Sequence, residues 1–401
     1  MELTSLDEES LITEAREKSG LTDFGDESFR RPMRMLLKAM EEEARLNEIG
    51  RITQRARIVG LLVNRLRTED HFKRFPEILE QEIRKPLVIV GLGRTGTTML
   101  QRLIASDPRI LSVFWWESRN PAPFPGAGNM ADGSRDPRII DAEAEVSAMI
   151  DLAPDLAAIH PIEAEASDEE IMLLEHSFFS TTPEALVHIP SYSMWLEQQD
   201  QTAGYEYLKQ LLQFLQWQKK RSGVTGERWV LKTPHHLGFL DLLFKVFPDA
   251  TVIQTHRDPV ETIPSWASLV YTLRTLASDS ADAKEAGRHW SRKFKNATRH
   301  SLQIRDTFPG RFIDIWYRDV LKDPVTQIRQ IYEYTGMELT PEVEQTMIKW
   351  TIDHARDKRP VHHYTLEEFG LTEEGLKKDF AEYRKRFILN PPVPLKGQNG
   401  E

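Results

Sequence analysis

The stretch that most restricts the fold begins at Pro86. Leu87, Val88, Ile89 and Val90 form an uninterrupted apolar run, short enough for a strand and apolar enough to be buried on both faces. Gly91-Leu92-Gly93-Arg94-Thr95-Gly96-Thr97-Thr98 follows at once, and Met99, Leu100, Leu103 and Ile104 then recur at helical spacing. A buried strand, a glycine-rich turn and a helix in immediate succession open a βαβ unit, which calls for a parallel sheet with right-handed crossovers. Glycines let the turn's backbone approach a ligand closely. The amides and the positive dipole end of the next helix then favour an anion there, and Thr97 and Thr98 add hydroxyl donors.

The rest of the chain extends this pattern. Ile110 to Trp116 reads as a second strand, and Trp229 to Leu231, Thr251 to Thr255 and Phe312 to Trp316 as three more, each followed by a helical pattern. The fold class expected is therefore α/β: a P-loop-like, three-layer fold with a central parallel sheet flanked by helices. Before Pro86, apolar residues return every three or four positions, as in Met33, Leu36, Leu37 and Met40, so residues 1–85 read as a helical N-terminal extension. Residues 86–390 form the main domain and 391–401 a Pro- and Gly-rich flexible tail. Ala142 to Gln218 reads as mostly helical, broken near His160-Pro161 and at Pro183 to Pro190, and Leu366 to Phe387 as a charged amphipathic helix pair. The Pro- and Gly-rich stretch from Asn120 to Gly133 is a long loop of the kind that often serves a function.

Composition narrows the ligand class. Lys plus Arg number 52 against 62 Asp plus Glu, a net charge of −10, which speaks against nucleic acid or an anionic membrane as a general partner. An anionic ligand must be met by a local basic pocket. There is no Cys, which removes disulfides and thiolate chemistry and fits a reducing compartment. The start lacks an apolar core segment and no window reaches about 18 apolar residues without charge, so the chain is expected to be cytoplasmic, with no membrane span.

The turn at 91–98 is ambiguous by itself. Gly91, Gly93 and Gly96 satisfy GxGxxG, and Glu117 at the end of the second predicted strand mimics the acid that holds a ribose in dinucleotide folds. Gly91 and Gly96 also satisfy the start of the Walker pattern, but Thr97 stands where its Lys belongs, which disfavours nucleoside triphosphate hydrolysis. A charged Arg94 inside the turn, with paired threonines after the last glycine, suits one terminal phosphate or sulfate. A second motif separates the readings. After the strand at 251–255 come His256-Arg257-Asp258-Pro259 and then Ser265 on the next helix, a charge-assisted donor pair for a second phosphate. Two such seats fit a 3′,5′-bisphosphate. The plainer alternative is that Asp258 caps a helix and Arg257 makes a surface ion pair.

Taken together, PLVIVGLGRTGTTMLQRLIASDP, WVLKTPHHL, FPDATVIQTHRDPVETIPS and YRDVLKDPVTQIRQIYEYTG, in this order, resemble the PAPS-dependent sulfotransferase family, where PAPS is 3′-phosphoadenosine 5′-phosphosulfate. More narrowly, the chain is similar to a bacterial branch with the loop written GRTGTT and a late His-x-Tyr-x(4)-Phe-Gly-Leu segment, here His362 or His363, Tyr364 and Phe369-Gly370-Leu371. The resemblance implies PAPS as co-substrate, cradled at its 5′-phosphosulfate by Arg94, Thr95, Gly96, Thr97 and Thr98 and held at its 3′-phosphate by Arg257 and Ser265. It also implies a late basic loop, here Lys358 and Arg359, at the 3′-phosphate. Arg94 stands where many cytosolic relatives have Lys, which leaves its part in stabilising the leaving group open.

Sulfuryl transfer resembles phosphoryl transfer, so positioning and charge stabilisation should dominate and no metal is required. Lys232, at the carboxyl edge of the predicted strand 229–231, is the candidate for contact with the transferring group. Two residues compete as the base that takes the acceptor's proton. His236, in Lys-x-Pro-x-His, is similar to the Lys-x-His of relatives, and Glu117 sits where some carbohydrate and tyrosyl sulfotransferases place a catalytic Glu. Either has a structural alternative: Glu117 as the buried partner of an Arg, His236 as part of a helix start. His235 with His236, and His362 with His363, lack the i, i+4 partner of a helical zinc site. The expected acceptor is a small molecule bearing a hydroxyl or amine, bound near the 120–133 loop and the 176–195 region. A dinucleotide-dependent oxidoreductase and a non-catalytic nucleotide-binding protein remain as alternatives.

Overall fold

The computed structural model describes residues 4–126, 135–152, 162–354 and 364–391. Five parallel strands form one sheet in the order β2-β3-β1-β4-β5: β1 Leu87–Gly91, β2 Ile110–Leu111, β3 Arg228–Lys232, β4 Thr251–His256 and β5 Phe312–Trp316. Every residue of β1 is buried, which explains why it is apolar on both faces. Its central place sets the register of its neighbours: Leu87 lies opposite Val230 on one side and Thr251 on the other, Gly91 opposite Thr255. The expected α/β fold with a parallel sheet flanked by helices is the fold observed.

The chain divides into two compact units, each assembled from three stretches. One unit takes the described residues of Ile83–Ser112, Val224–Ser268 and Ala283–Glu401 and contains the whole sheet. Its core joins Leu87 and Ile89 of β1 to Leu100, Leu103 and Ile104 of the helix Thr97–Ala105, and to Ile328, Ile331 and Met347. The other unit takes the described residues of Met1–Glu82, Val113–Gly223 and Leu269–Asp282. There the N-terminal helical extension, with helices Glu8–Ser19, Arg30–Glu42 and Glu48–Arg74, buries Leu11, Met33, Leu36, Leu62 and Leu66 together with Phe178 and Tyr192. Arg65 is buried in it at little cost. Its guanidinium donates to the carbonyls of Phe24 and Asp26 and lies over the rings of Phe29 and Tyr207.

The structure corrects the reading of the second strand. The strand expected over Ile110 to Trp116 is a strand only at Ile110–Leu111. Phe114 makes an isolated antiparallel bridge to Ser167, and Trp115 opens a short helix, Trp115–Arg119. Aromatic and apolar residues favour strands, but here tertiary pairing of the Trp115 and Trp116 amides with the Ala166 and Ala164 carbonyls decides the geometry. Glu117 therefore lies in a first helical turn, not at a strand end. The break expected at Pro183 to Pro190 is present: the helix Thr182–Leu186 ends at an extended Val187 and the next, Pro190–Leu196, begins at Pro190, each proline standing in a first helical turn where a missing amide hydrogen costs nothing. His160-Pro161 and residues 127–133 of the predicted loop lie outside the described residues.

Candidate active site

The site is built where β1, β3 and β4 end. β1 closes with Gly91, and the turn that follows enters the helix Thr97–Ala105 through Gly96 at φ 83°, a conformation glycine adopts without a Cβ penalty. No side chain caps this helix, so the orphan amides of its first turn point to the mouth of the turn. Gly93 is required for a different reason: a Cβ there would lie 2.0 Å from a ring carbon of Trp266. Arg94 is held at φ 70°, a left-handed conformation that costs a non-glycine residue about 1–2 kcal/mol. Thr95 is fully buried. Its hydroxyl donates to the Leu92 carbonyl at 2.7 Å and lies 2.7 Å from Thr255 Oγ1, so it braces the turn from inside. Thr97 and Thr98 follow at the helix start.

The second motif converges on the same turn. β4 ends at His256, and Arg257 Nη1 donates to the Arg94 carbonyl at 3.0 Å. Arg94 Nε in turn donates to Ser265 Oγ at 3.3 Å, on the helix Pro259–Thr275. The Arg257 guanidinium also lies 4.4 Å over the ring of Tyr317. Two guanidinium groups and a hydroxyl thus meet around Arg94, an electrostatic arrangement suited to an anion. The plainer reading of this motif is also realised: Asp258 Oδ1 accepts from the Val260 amide as a helix cap, and Arg257 pairs with Glu261 at 2.9 Å. The two readings describe different bonds of the same residues and coexist.

β3 delivers the remaining pair. Lys232, its last residue, is buried, and its Nζ lies 3.4 Å from Thr98 Oγ1 at the start of the loop helix. Thr233 caps the 3₁₀ turn Pro234–Gly238 by accepting from the His235 amide, and this turn carries His236, which is fully buried. The long helix Ala283–Thr307 packs on that turn.

Glu117 belongs to the other unit. Its Oε2 accepts from the Phe114 amide at 2.9 Å, which satisfies the amide before the helix, and its Oε1 takes the ammonium of buried Lys219 at 2.5 Å. The partner is a lysine, where an arginine had been the structural expectation. Lys358 and Arg359 lie outside the described residues, as do His362 and His363. Of the 176–195 region, Phe178, Phe179 and Tyr192 are buried in the core. No pattern in the sequence marked Trp266 as the wall of the loop or Tyr317 as the ring beneath Arg257. Gly93 was the indirect signal, since a second glycine in the turn needs a neighbour that approaches it.

A parallel sheet with an uncapped helix behind a glycine turn, and a second guanidinium beside it, is the layout of an α/β protein that gathers anion-binding donors at one sheet edge. The model of the sulfotransferase family matches residues 86–341, and the chain belongs to that family. It is a sulfotransferase. The crystal structure of sulfotransferase STF1 from Mycobacterium tuberculosis H37Rv is similar at TM-score 0.82 and 30% identity, over 95% of this chain and 100% of that one. That of sulfotransferase STF9 from Mycobacterium avium is similar at TM-score 0.85 and 28% identity, over 97% and 98%. Among curated proteins, the omega-hydroxy-beta-dihydromenaquinone-9 sulfotransferase Stf3 of Mycobacterium bovis is 26% identical over 305 residues, 72% of each chain. The dinucleotide reading of GxGxxG gives way to this family. Among the described residues, no helix is long and apolar enough to cross a membrane.

Proposed function

We propose that this sulfotransferase uses PAPS as its sulfuryl donor and a hydroxyl or amine of a small molecule as acceptor, in the cytoplasm. The observation that carries the reading is the junction at Arg94, whose carbonyl is held by Arg257 and whose guanidinium meets Ser265. The groups assigned to the two anion seats meet at one residue, which suits a ligand bearing phosphate on both its 3′ and 5′ sides. The donor set fits such a ligand: helix amides left uncapped at Thr97 suit a phosphosulfate, and a guanidinium with a hydroxyl suits a phosphate.

When bound, PAPS supplies the activated sulfuryl group and leaves as 3′,5′-ADP. The amides of Gly96, Thr97 and Thr98 and the Arg94 side chain would hold the 5′ end, and Arg257 with Ser265 the 3′-phosphate. Lys232, beside Thr98, would neutralise charge that grows on the departing oxygen. His236 would take the proton from the acceptor at a ring nitrogen, since imidazole is a competent base near neutrality. We assign that task to His236 over Glu117, because His236 follows Lys232 at the end of β3, whereas Glu117 is held in a buried ion pair with Lys219. The Mycobacterium bovis relative is named for a hydroxylated quinone, which supports a hydroxyl as the nucleophile.

Calorimetric titration with 3′,5′-ADP and with NAD(H) tests the nucleotide. Tight binding of the bisphosphate and indifference to NAD(H) is the expected result, and the reverse overturns it. A panel of acceptors with labelled PAPS then tests the chemistry: Lys232→Ala should lower turnover by about two to three orders of magnitude. Full activity in a Lys232→Ala, His236→Ala protein would remove both from the mechanism.

A further inference from the structure

Three consecutive residues, His256, Arg257 and Asp258, are gripped by the C-terminal helix Ala381–Arg384 and the turn that continues it. The Arg384 fork takes the Asp258 carboxylate, with Nε at 2.9 Å from Oδ1 and 3.2 Å from Oδ2, and Nη2 at 2.9 Å from Oδ2. The pair is largely shielded, with side chains 13% and 18% exposed. Tyr383 places its hydroxyl 3.0 Å from His256 Nδ1 and within reach of the Arg257 backbone amide. The far side of the His256 ring meets Asp314 at 2.8 Å, itself held by Arg305, and its face stacks on Phe387 at 4.1 Å. These partners orient the chain: Arg257 N–H donates to the Tyr383 oxygen, Tyr383 O–H to Nδ1, and Nε2–H to Asp314. The Phe387 carbonyl then accepts from Trp316 Nε1 at 2.7 Å, which ties the segment to the end of β5.

This grip matters because of the charge of Asp258. A carboxylate one residue from the arginine of an anion seat has two unwanted effects. It competes for the guanidinium, and it repels a phosphate that settles there. Asp258 is nevertheless needed as the cap of the helix that carries Ser265. A bidentate arginine on both carboxylate oxygens removes both effects while it leaves the cap in place.

We propose that Arg384 is a positioning residue for the 3′-phosphate seat: by neutralising Asp258 it keeps that carboxylate off the Arg257 guanidinium, which already pairs with exposed Glu261, and lowers the repulsion on the phosphate. The proposal rests on the reading that Arg257 and Ser265 hold a 3′-phosphate. It deepens that reading by making nucleotide selectivity depend on a residue far along the chain that does not touch the ligand.

The test compares 3′,5′-ADP with 5′-AMP, which lacks the 3′-phosphate, by calorimetric titration of the full chain, with thermal melts to confirm folding. For Arg384→Gln the Kd for 3′,5′-ADP should rise about tenfold, the value of one charge-assisted contact, while 5′-AMP binding changes by no more than about twofold. Adding Asp258→Asn should restore most of the loss, since asparagine caps the helix and carries no charge to neutralise. An equal loss for both nucleotides, or no recovery in the double variant, overturns the proposal, because a strut that merely supports the fold would behave in that way. Should Arg384→Gln fail to fold, Asp258→Asn alone decides: it must bind 3′,5′-ADP at least as tightly as the wild type, and a tenfold loss overturns the idea. A wild-type protein with no preference for 3′,5′-ADP over 5′-AMP would remove the seat itself, and this proposal with it.

Discussion

The Arg257 guanidinium donates to the backbone carbonyl of Arg94 at 3.0 Å, so the residue that follows one strand holds the turn that follows its neighbour. The bond reaches Arg94 at the position where its backbone is held left-handed. In the proposed nucleotide site, the residue assigned to the 3′-phosphate and the turn assigned to the 5′ end are thereby coupled through a single hydrogen bond.

Arg257→Lys separates charge from geometry. Lysine keeps the positive charge but has no fork with which to reach the Arg94 carbonyl and a phosphate oxygen together. The Kd for 3′,5′-ADP should rise about tenfold or more, and that for 5′-AMP by much less. Calorimetry reads both. A variant that binds 3′,5′-ADP as tightly as the wild type would show that the guanidinium makes no bidentate contact there.

Gly93→Ala tests the packing behind the loop. The added Cβ would lie 2.0 Å from the Trp266 ring, which is itself held edge-on to Trp290 and Phe294 at centroid distances of 5.2 and 5.5 Å. A ring so braced moves at a cost, and overpacking of this kind destabilises by about 1–3 kcal/mol. The thermal midpoint should fall, and Gly93→Ala with Trp266→Leu should regain part of the loss. A midpoint unchanged by Gly93→Ala would mean that the turn has room to shift.

Glu117 and Lys219 form a buried ion pair, 3% and 9% exposed, and removal of one partner from such a pair costs about 3–5 kcal/mol. Glu117→Gln should therefore lower the melting temperature, and Lys219→Met added to it should recover stability because no bare charge remains. If Glu117 is structural, sulfuryl transfer by the folded double variant stays within a few-fold of wild type. Stability restored with activity still lost by three orders of magnitude would return Glu117 to the catalytic centre.

The sheet was legible because strands buried on both faces are written as apolar runs, and four of the five reach the structure within a residue or two of their expected ends. The second strand was not, since Trp115 and Trp116 have strand-like character but bond to Ala166 and Ala164, about fifty positions away. The loop and Arg257 were legible for a related reason: each lies directly after a strand, so topology carries it to the same sheet edge. Arg384 left no such trace. It meets Asp258 across 126 positions of sequence, from a charged segment in which Lys385 and Arg386 read no differently. Local periodicity records which face of a helix is buried, not which carboxylate one of its charges will find.

Two groups of the unit with the N-terminal helices, buried His176 and half-buried Glu69, should tilt its stability against pH in opposite directions. Burial pushes His176 down to about 4, aided by Arg119 and opposed by the Ser118 carbonyl and Glu175. Burial also pushes Glu69 up to about 7, with Asp23 and Asp26 adding to it and Arg65 and Lys73 opposing. Between about pH 4 and 6.5 the unfolded chain binds a proton at residue 176 that the folded chain refuses, so this group alone makes stability rise with pH. Between about 4.5 and 7 the folded chain keeps a proton at Glu69 that the unfolded chain releases, so this group alone makes stability fall as pH rises. Each contributes about 3 kcal/mol at most across its window, and in the wild type they offset each other between about pH 4.5 and 6.5. Glu69→Gln should expose the rise, giving a protein that gains stability steadily from pH 4 to 6.5. His176→Gln should expose the fall, with the steepest loss from pH 5 to 7. Urea denaturation at half-unit pH steps reads both slopes, and variant profiles parallel to the wild type would mean that neither group changes its proton affinity on folding.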